Sequence, residues 1–383
     1  MKNYDVIIIG AGSVGVPATM AIAEKKMSVL CIDSLSAPGQ GNNKKAIGGI
    51  RANQSDFGKI QTCLRSIEIF STWEEKFGTN IGWSSNGYSF PAYDEKTEKV
   101  LKDLLKIQQS FGLNIKWISA EEYQKLVPGI KMEGLRGSTF SPNDGSASNL
   151  LAINAWYFRS KELGAEFKFN EKVNNIIVID NQATKVVTDK ASYGCKYVIN
   201  AAGNYANDIG KMIGIDLNVS PDNHEAAITE PVKKFMEPMV VDLRKGPGSN
   251  NFYFYQNSEG QVVFCITPNP SIWGIDDEAT SVFFPQIAKR MVSLYPRLAN
   301  LKVRRAWRGQ YPMTSDGFPI VGFTKEVPNY MNLVGMCGQG FMLGPGLGEI
   351  VARLIAGEET EKDKRILKSF DFYRDFSGME AFK

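Results

Sequence analysis

Blocks of apolar and polar positions predict strands and helices over most of the chain. A short β-branched run at 5–9 is followed by glycines and then by the helix-forming stretch 18–26. A second apolar run, 28–32, ends in Asp33 and completes a βαβ unit. The N-terminal block therefore predicts a strand, a tight turn, a helix and a second strand.

The rest of the chain predicts further helices and two kinds of strand. Helical spacing of apolar residues predicts helices at 57–76 and 147–163. Apolar runs that precede small-residue turns predict strands at 197–202 and 330–334. Shorter strands with the spacing of an antiparallel sheet are predicted at 88–91, 226–230, 239–243, 251–256 and 261–267.

The order of these blocks predicts an α/β protein built around two sheets. A strand, a glycine-rich turn over 335–348 and a helix at 349–355 repeat the N-terminal arrangement near the C-terminus. We therefore expect a parallel, Rossmann-like nucleotide-binding domain interrupted by a mostly antiparallel second domain. The expected boundaries are 1–82, 141–221 and 303–383 for the first domain, and 83–140 and 222–302 for the second.

Composition excludes several classes of protein. Lys and Arg total 44 against 41 Asp and Glu, so the formal charge of +3 gives no reason to expect a nucleic-acid partner. The five cysteines form no CxxC pair and there is a single histidine, which argues against a disulfide framework and against a metal site. We expect a cytoplasmic protein, and no apolar run is long enough to predict a transmembrane segment.

The first glycine motif predicts a dinucleotide site. GAGSVG at 10–15 lies between a strand and a helix, where glycines let a pyrophosphate approach the backbone and the helix N-terminus supplies N–H groups. Asp33 ends the next strand and is placed to accept hydrogen bonds from a ribose diol. The alternative interpretation is a tight turn whose glycines bind nothing.

The C-terminal glycine segment favours a flavin over a nicotinamide. A flavin must also be held at its ring, and the segment 335–349 places backbone N–H groups before a helix, where they could stabilise a reduced ring. The alternative is that these glycines serve helix packing.

Six motifs in order carry a family resemblance. These are GAGSVG with Asp33, NNKKAIGGIR (42–51), INAAGNYAND (199–208), HEAAITEP (224–231), RAWRGQYPMTSDGFPIVG (305–322) and GQGFMLGPGLGE (338–349). Together they resemble the D-amino-acid oxidase superfamily of FAD enzymes, in its sarcosine oxidase β-subunit, glycine oxidase and dye-linked L-proline dehydrogenase branch. The resemblance spans almost the whole chain and implies a GR2-type FAD-binding domain with an inserted substrate-binding domain.

The resemblance implies FAD-dependent oxidation of a small or secondary amino acid, L-proline or sarcosine being the leading candidates. A hydride leaves the substrate carbon for flavin N5, and the resulting imine hydrolyses in water. The residues that it implies for FAD are Gly10, Ala11, Gly12, Ser13, Val14, Gly15, Asp33, Ser34, Lys45, Ala46, Ile47, Gly48, Val173, Ala201, Ala202, Gly203, Gly309, Gly338, Gln339, Gly340, Phe341 and Met342.

Four residues are candidates for the substrate side. Arg51 has the guanidinium fork that suits a carboxylate, with a structural ion pair as the alternative. His224 is a candidate for proton handling or substrate contact, against a purely structural role. Tyr253 matches a substrate-facing tyrosine of the proline dehydrogenase type, and Tyr311 matches the tyrosine of that same branch. Plain packing is the alternative for Tyr253 and for Tyr255, which share one face of their strand.

Departures from the family pattern refine these expectations. Gln339 replaces the histidine usual in the GHGF motif, and Arg308 replaces a small residue. The segment 308–317 has no cysteine or histidine for covalent attachment, so noncovalent FAD is expected. The strand at 262–270 lacks the lysine that oxidases of this group place near the flavin, which favours a dehydrogenase that passes electrons to another carrier.

Two other functions stay open at this point. One is a flavin-holding electron-relay subunit of a hetero-oligomeric amino-acid dehydrogenase, inactive without its partner subunits. The other is an NAD(P)-binding oxidoreductase. The first would purify with partner subunits or an electron-acceptor protein, and the second would be colourless.

Overall fold

A computed structural model describes residues 1–378 and 380 of the chain. The strands in this part of the chain are β1 (Lys2–Ile9), β2 (Val29–Ile32), β3 (Gly49–Ile50), β4 (Tyr88–Ala92), β5 (Lys116–Ile118), β6 (Gly137–Ser141), β7 (Gly145–Ser146), β8 (Glu166–Lys168), β9 (Val173–Ile179), β10 (Gln182–Thr188), β11 (Ser192–Asn200), β12 (Ser220–Pro231), β13 (Met239–Asp242), β14 (Ser249–Gln256), β15 (Gln261–Pro268), β16 (Val303–Met313), β17 (Ile320–Phe323) and β18 (Tyr330–Val334). The helices are α1 (Gly15–Glu24), α2 (Phe57–Phe77), α3 (Glu95–Ser110), α4 (Ala120–Leu126), α5 (Asn149–Glu162), α6 (Ala206–Lys211), α7 (Phe283–Leu294), α8 (Gly340–Ala356) and α9 (Glu361–Ser369).

The first sheet is the predicted parallel one. Its strand order is β17-β18-β11-β1-β2-β8, and β10 and β9 extend from β11. The strands from β18 to β8 run parallel, while β17 pairs antiparallel with β18. Its central strand β1 is buried at consecutive residues, as a strand covered on both faces requires. The carboxyl ends of β1, β2 and β11 therefore meet at one edge.

The second sheet is the predicted antiparallel one. Its order is β16-β12-β15-β14-β13-β4-β6-β5, and only the pair β13–β4 among these is parallel. The two sheets together confirm the predicted fold class. The edge strand β16 (Val303–Met313) belongs to this sheet, although the sequence division groups it with the FAD-binding segments. The domain boundaries as such stay a prediction.

Helices α1, α2, α5 and α8 cover the first sheet and share one core. Phe70, Trp73 and Trp156 are buried there, and Phe341 at the start of α8 packs edge-on against Phe70. Truncating one such aromatic side chain typically costs about 3–5 kcal/mol. This core holds the first turns of α1 and α8 in fixed positions, and both turns belong to the site described below.

Two predicted boundaries were wrong, because tertiary contacts extend each element beyond its local sequence signal. The C-terminal helix α8 begins at Gly340 rather than at 349, and β12 begins at Ser220 rather than at 226. Close packing on α1 keeps the glycines helical despite their low propensity, and pairing with β16 extends β12 through polar residues. Among the described residues, no helix combines the length and the apolar character needed to cross a bilayer.

Candidate flavin and substrate site

The turn between β1 and α1 has room for a phosphate group. A Cβ atom on Gly10, whose φ is 110°, would lie 2.5 Å from the carbonyl oxygen of Ala201, and one on Gly15 would lie 1.9 Å from that of Gly10. These two glycines therefore close the turn. Gly12 differs, because nothing described lies within 4 Å of the place where its Cβ would be. The open space over Gly12, at the N-terminus of α1, fits a pyrophosphate.

Asp33 lies beside this turn at the end of β2. One carboxylate oxygen accepts a hydrogen bond from the backbone N–H of Ala11 (2.7 Å), and the other accepts one from Leu35 (2.8 Å). Ala201, Ala202 and Gly203 follow β11 at the same edge of the sheet. The sheet thus brings together the predicted cofactor residues of the glycine turn, Asp33 and the segment 201–203. Val173 lies apart from them, because it begins β9 away from the central strands.

The loop 45–48 is held by the second sheet. The carbonyl oxygen of Lys45 accepts a hydrogen bond from the indole N–H of Trp307 (2.7 Å), and that of Ile47 accepts one from the Tyr255 hydroxyl. The Lys45 ammonium pairs with Asp277, while Lys44 is exposed. Tyr255 therefore has a definite role, which is to fix this loop.

Some glycines of the C-terminal motif serve helix packing, and others form the turn where a flavin ring is expected. Gly338 has a φ of 79°, and a Cβ atom there would lie 2.4 Å from the ring of Tyr311. Gly344 and Gly346 serve helix packing, because Cβ atoms on them would lie 2.0 Å from the carbonyl oxygen of Ser13 and 2.4 Å from that of Thr62. The packing interpretation therefore applies within α8, and Gly338 to Gly340 form the turn at its N-terminus.

Gln339 and Cys337 occupy this turn. The Gln339 amide nitrogen lies 3.5 Å from Oε1 of Gln54, and its own Oε1 is buried with no hydrogen-bond partner in the described chain. Cys337 has a φ of 48°, and its Sγ lies 3.3 Å from Oγ1 of Thr314. The turn thus offers backbone and amide groups where the resemblance places the flavin ring.

A pair of phenols lies on the face of the second sheet that carries Trp307 and Tyr255. The hydroxyl oxygens of Tyr253 and Tyr311 are 2.5 Å apart. The ring of His224 stacks on that of Tyr311, with centroids 3.8 Å apart and planes 19° apart. Burial raises the pKa of both tyrosines well above the ordinary value, so both are neutral phenols. Three of the four candidate substrate residues are therefore in direct contact.

Arg51, the fourth candidate, lies in the loop that follows β3. Its Nη1 donates to the carbonyl oxygen of Asn53 (2.8 Å) and to Asn53 Oδ1 (3.1 Å). The guanidinium carbon lies 5.8 Å from the ring centroid of Phe90 on β4. The small β3–β7 pair brings this loop against the loop that contains Asp144.

Asp144, Asp222 and Cys265 were not predicted from the sequence. Asp144 is fully buried and accepts hydrogen bonds from the Ala52 N–H (3.0 Å) and the Ser141 hydroxyl (2.6 Å). Burial raises its pKa to about 6 against the opposing effect of these bonds. Burial also raises the pKa of the Cys265 thiol to about 11. Isolated acids and cysteines in strands and turns give no sequence signal, because only pairing between distant strands makes them neighbours.

Arg308, whose direction the sequence left open, points away from the phenol pair. It lies next to Gly309 on β16 and pairs with Asp276 in the loop 269–282. Successive residues of a strand face opposite sides of the sheet, so Arg308 and Tyr311 are on opposite faces. Arg308 therefore anchors a loop and does not reach the candidate substrate face.

Comparison with known proteins places this chain in a family. The sequence profile of the DAO family, described as FAD dependent oxidoreductase, matches residues 5–354. The chain belongs to the DAO family of FAD-dependent oxidoreductases. It is therefore an enzyme with FAD as its cofactor, which confirms the resemblance found in the sequence and removes the NAD(P) alternative.

Individual members of the DAO family resemble the chain along most of its length. Glycine oxidase from Geobacillus kaustophilus is 23% identical over 370 residues, which cover 94% of this chain and 95% of that protein. Sarcosine oxidase subunit beta from Rhodobacter capsulatus is 22% identical, with 93% and 85% covered. The crystal structure of L-proline dehydrogenase from P. horikoshii superimposes with a TM-score of 0.91 at 28% identity, covering 97% and 98%.

Proposed function

We propose that this DAO-family enzyme oxidises the C–N bond of a small or secondary amino acid of the L-proline or sarcosine type, giving an imine. Bound FAD, which we expect to be noncovalent, would accept the hydride at N5. The observation that carries the proposal is the neutral phenol pair of Tyr253 and Tyr311, stacked on His224, on the sheet face that holds the loop leading to Arg51.

The residues of the first sheet would hold the cofactor. The space over Gly12 would take the pyrophosphate, Asp33 would accept from the ribose, and the turn at Gly338 would contact the ring edge. The loop 45–48, fixed by Trp307 and Tyr255, would run along the ring. No covalent link is needed for this fit, since every contact uses backbone groups, a carboxylate or an amide.

The residues of the second sheet would orient the substrate. Arg51 would bind the carboxylate through its guanidinium fork. The neutral phenols of Tyr253 and Tyr311 would line the substrate's side chain without adding charge. His224 would lie next to the amine, where it could accept a proton. Glycine oxidase, sarcosine oxidase and L-proline dehydrogenase are the relatives whose names support an amino-acid substrate.

A relay subunit is the second candidate function. Some relatives are named as subunits, among them sarcosine oxidase subunit beta and hydrogen cyanide synthase subunit HcnC. Their likeness to this chain supports partner subunits or an electron-acceptor protein. In this alternative the flavin would pass electrons on and no amino acid would reduce it without the partner.

Anaerobic titration of the purified protein distinguishes the two candidates. We expect the visible absorbance of the oxidised flavin to bleach with L-proline or sarcosine, and air to restore it slowly if oxygen is not the acceptor. A yellow protein that bleaches with dithionite but with no amino acid would favour the relay subunit. Acid precipitation should release the flavin into the supernatant, whereas flavin retained in the pellet would contradict noncovalent binding.

Arg51→Ala tests the anchor of the substrate carboxylate. We expect the flavin to stay bound and kcat/KM to fall roughly 10- to 100-fold, because about 1.5–3 kcal/mol of charged hydrogen bonding is lost. The loss should appear mainly in KM. Arg159→Ala, which removes a partly exposed arginine of α5 that pairs with Glu162, is the matched control. Equal kinetic constants in Arg51→Ala and the wild type would exclude Arg51 from the site.

A further inference from the structure

A carboxylate lies behind the histidine of the candidate substrate face. Asp222 and His224 are two residues apart on β12, and their side chains are 6% exposed each. Oδ2 of Asp222 lies 3.5 Å from Nε2 of His224. The other carboxylate oxygen accepts a hydrogen bond from the backbone N–H of Ile272 (2.8 Å). Asp222 is therefore fixed between the loop 269–282 and the imidazole ring.

The second nitrogen of the same ring has no partner in the described chain. Nδ1 of His224 is buried, although a buried polar atom without a hydrogen bond costs about 1–3 kcal/mol. Stacking on Tyr311 fixes the plane of the ring. A carboxylate oxygen 3.5 Å from Nε2 favours the tautomer that carries its hydrogen there, which leaves a lone pair on Nδ1. The orphaned atom is therefore an acceptor for a ligand that brings a proton.

We propose that Asp222 is a positioning residue that holds the hydrogen of His224 on Nε2, so that Nδ1 can accept a proton from the ammonium group of the substrate. The inference rests on the proposed function and identifies how the neutral amine is produced. A bond between hydrogen and the substrate nitrogen breaks, and its electron pair stays on that nitrogen. The proton forms a new bond to Nδ1.

Charge is balanced between the substrate, His224 and Asp222 in this step. The substrate nitrogen loses one positive charge, the imidazole gains it, and the carboxylate of Asp222 offsets it. Burial acts to raise the pKa of Asp222, but its contact with His224 and the hydrogen bond from the Ile272 N–H outweigh burial and hold that pKa below the ordinary value. Asp222 is thus ionised when the proton arrives.

The other ionisable groups around His224 are either neutral or already paired with an opposite charge. Tyr311 on β16 is a neutral phenol bonded to Tyr253 on β14. The Lys45 ammonium, on the loop opposite Gly309, pairs with Asp277. The Cys265 thiol on β15 is protonated, since burial raises its pKa to about 11. Asp222 is the carboxylate that faces the ring directly.

Nitrogen NMR tests the tautomer without any substrate. His224 is the only histidine in the sequence, so ¹⁵N-histidine labelling gives the signals of this ring alone. We expect Nε2 to carry the hydrogen in the holoenzyme. In Asp222→Asn the amide nitrogen can face Nε2 while its oxygen keeps the Ile272 bond, so the hydrogen should move to Nδ1. A hydrogen on Nδ1 in the wild type, or unchanged signals in Asp222→Asn, would overturn the proposal.

Steady-state kinetics test the consequence. We expect kcat/KM of Asp222→Asn to fall roughly 100-fold, which is the contribution of a positioned general base. The acidic limb of the profile of kcat/KM against pH should also move to lower pH in this variant. Adding His224→Gln should cause little further loss, because Asp222 acts through His224. Additive losses, or a pH profile that does not move, would overturn the proposal.

One control variant and the wild-type flavin titration separate this proposal from its alternatives. Asp276→Asn removes a carboxylate that anchors the same loop through Arg308, so it should leave the NMR signals and kcat/KM unchanged. If it matches Asp222→Asn, loosening of the loop explains both and the positioning role is wrong. If no amino acid reduces the wild-type flavin, the proposed function fails, and the NMR result alone still decides whether Asp222 sets the tautomer.

Discussion

At the scale of single residues, burial keeps most ionisable groups of the substrate face uncharged. The phenols of Tyr253 and Tyr311 and the thiol of Cys265 all have pKa values raised by burial. A carboxylate that enters this region therefore meets few competing anions. The proposed selectivity for amino acids follows from one guanidinium, Arg51, and one imidazole, His224, among neutral side chains.

Asp144 gives the stability of the protein a predicted pH dependence. Its folded pKa of about 6 lies above the ordinary value of 3.8, so the folded chain holds the proton more tightly. The stability that it contributes is complete below about pH 4 and is lost as pH rises through about 6, up to ~3 kcal/mol. Urea unfolding at several pH values should show this loss in the wild type.

Asp144→Asn should remove that dependence. The amide can still accept from the Ala52 N–H and donate to the Ser141 oxygen, and it cannot ionise. We expect the variant to be the more stable protein at pH 8 and nearly equal to the wild type at pH 4. Parallel curves for the two proteins over this range would show that Asp144 does not titrate there.

At the scale of elements, the contact of α8 with α1 depends on a glycine. Ala is the better helix former by about 1 kcal/mol, so Gly344→Ala would stabilise an isolated helix. In this protein the added Cβ would lie 2.0 Å from the backbone oxygen of Ser13. We therefore expect destabilisation by about 1–3 kcal/mol, the cost of overpacking, together with weaker flavin binding because the N-terminus of α1 moves. Thermal unfolding and flavin titration measure the two effects.

Gly378→Ala is the control for this substitution. No described atom lies within 4 Å of the place where its Cβ would be, so we expect a change within about 0.5 kcal/mol. A gain in stability for Gly344→Ala would mean that helix propensity outweighs the contact, and that α8 can move away from α1 at little cost.

At the scale of the whole molecule, a buried ion pair joins the last described residues to the first sheet's helices. Lys59 on α2 and Glu380 are both fully buried, with Nζ and Oε2 3.5 Å apart. Lys59 also donates to the carbonyl oxygen of Gly317 (2.7 Å), and Arg374 binds Asp316 next to it. The C-terminal segment therefore closes over the loop that follows β16.

Breaking this pair on one side should be costly. We expect Lys59→Met to destabilise the protein by about 3–5 kcal/mol, because it leaves the carboxylate of Glu380 buried without its cation. The double variant Lys59→Met with Glu380→Gln should recover part of that loss. A double-mutant cycle by urea unfolding measures the coupling, and losses that simply add would show that the two charges do not interact.

Elements whose signals are local could be predicted from the amino-acid sequence. The phosphate turn at Gly10 to Gly15, the acid that ends β2 and the glycines before α8 are set by backbone geometry and hydrophobic period, so a motif reveals them. The same signals, read in order, carried the family resemblance, the FAD cofactor and the two-sheet fold.

Which distant side chains meet depends on the tertiary fold. Asp222 lies behind His224, Tyr253 touches Tyr311, Asp144 is next to the loop of Arg51, and Lys59 faces Glu380. Each contact depends on the register of strands or the packing of helices far apart in the chain, and a single sequence carries no signal for it. Burial follows from the same packing, and burial raises the pKa values of Tyr253, Tyr311 and Asp144.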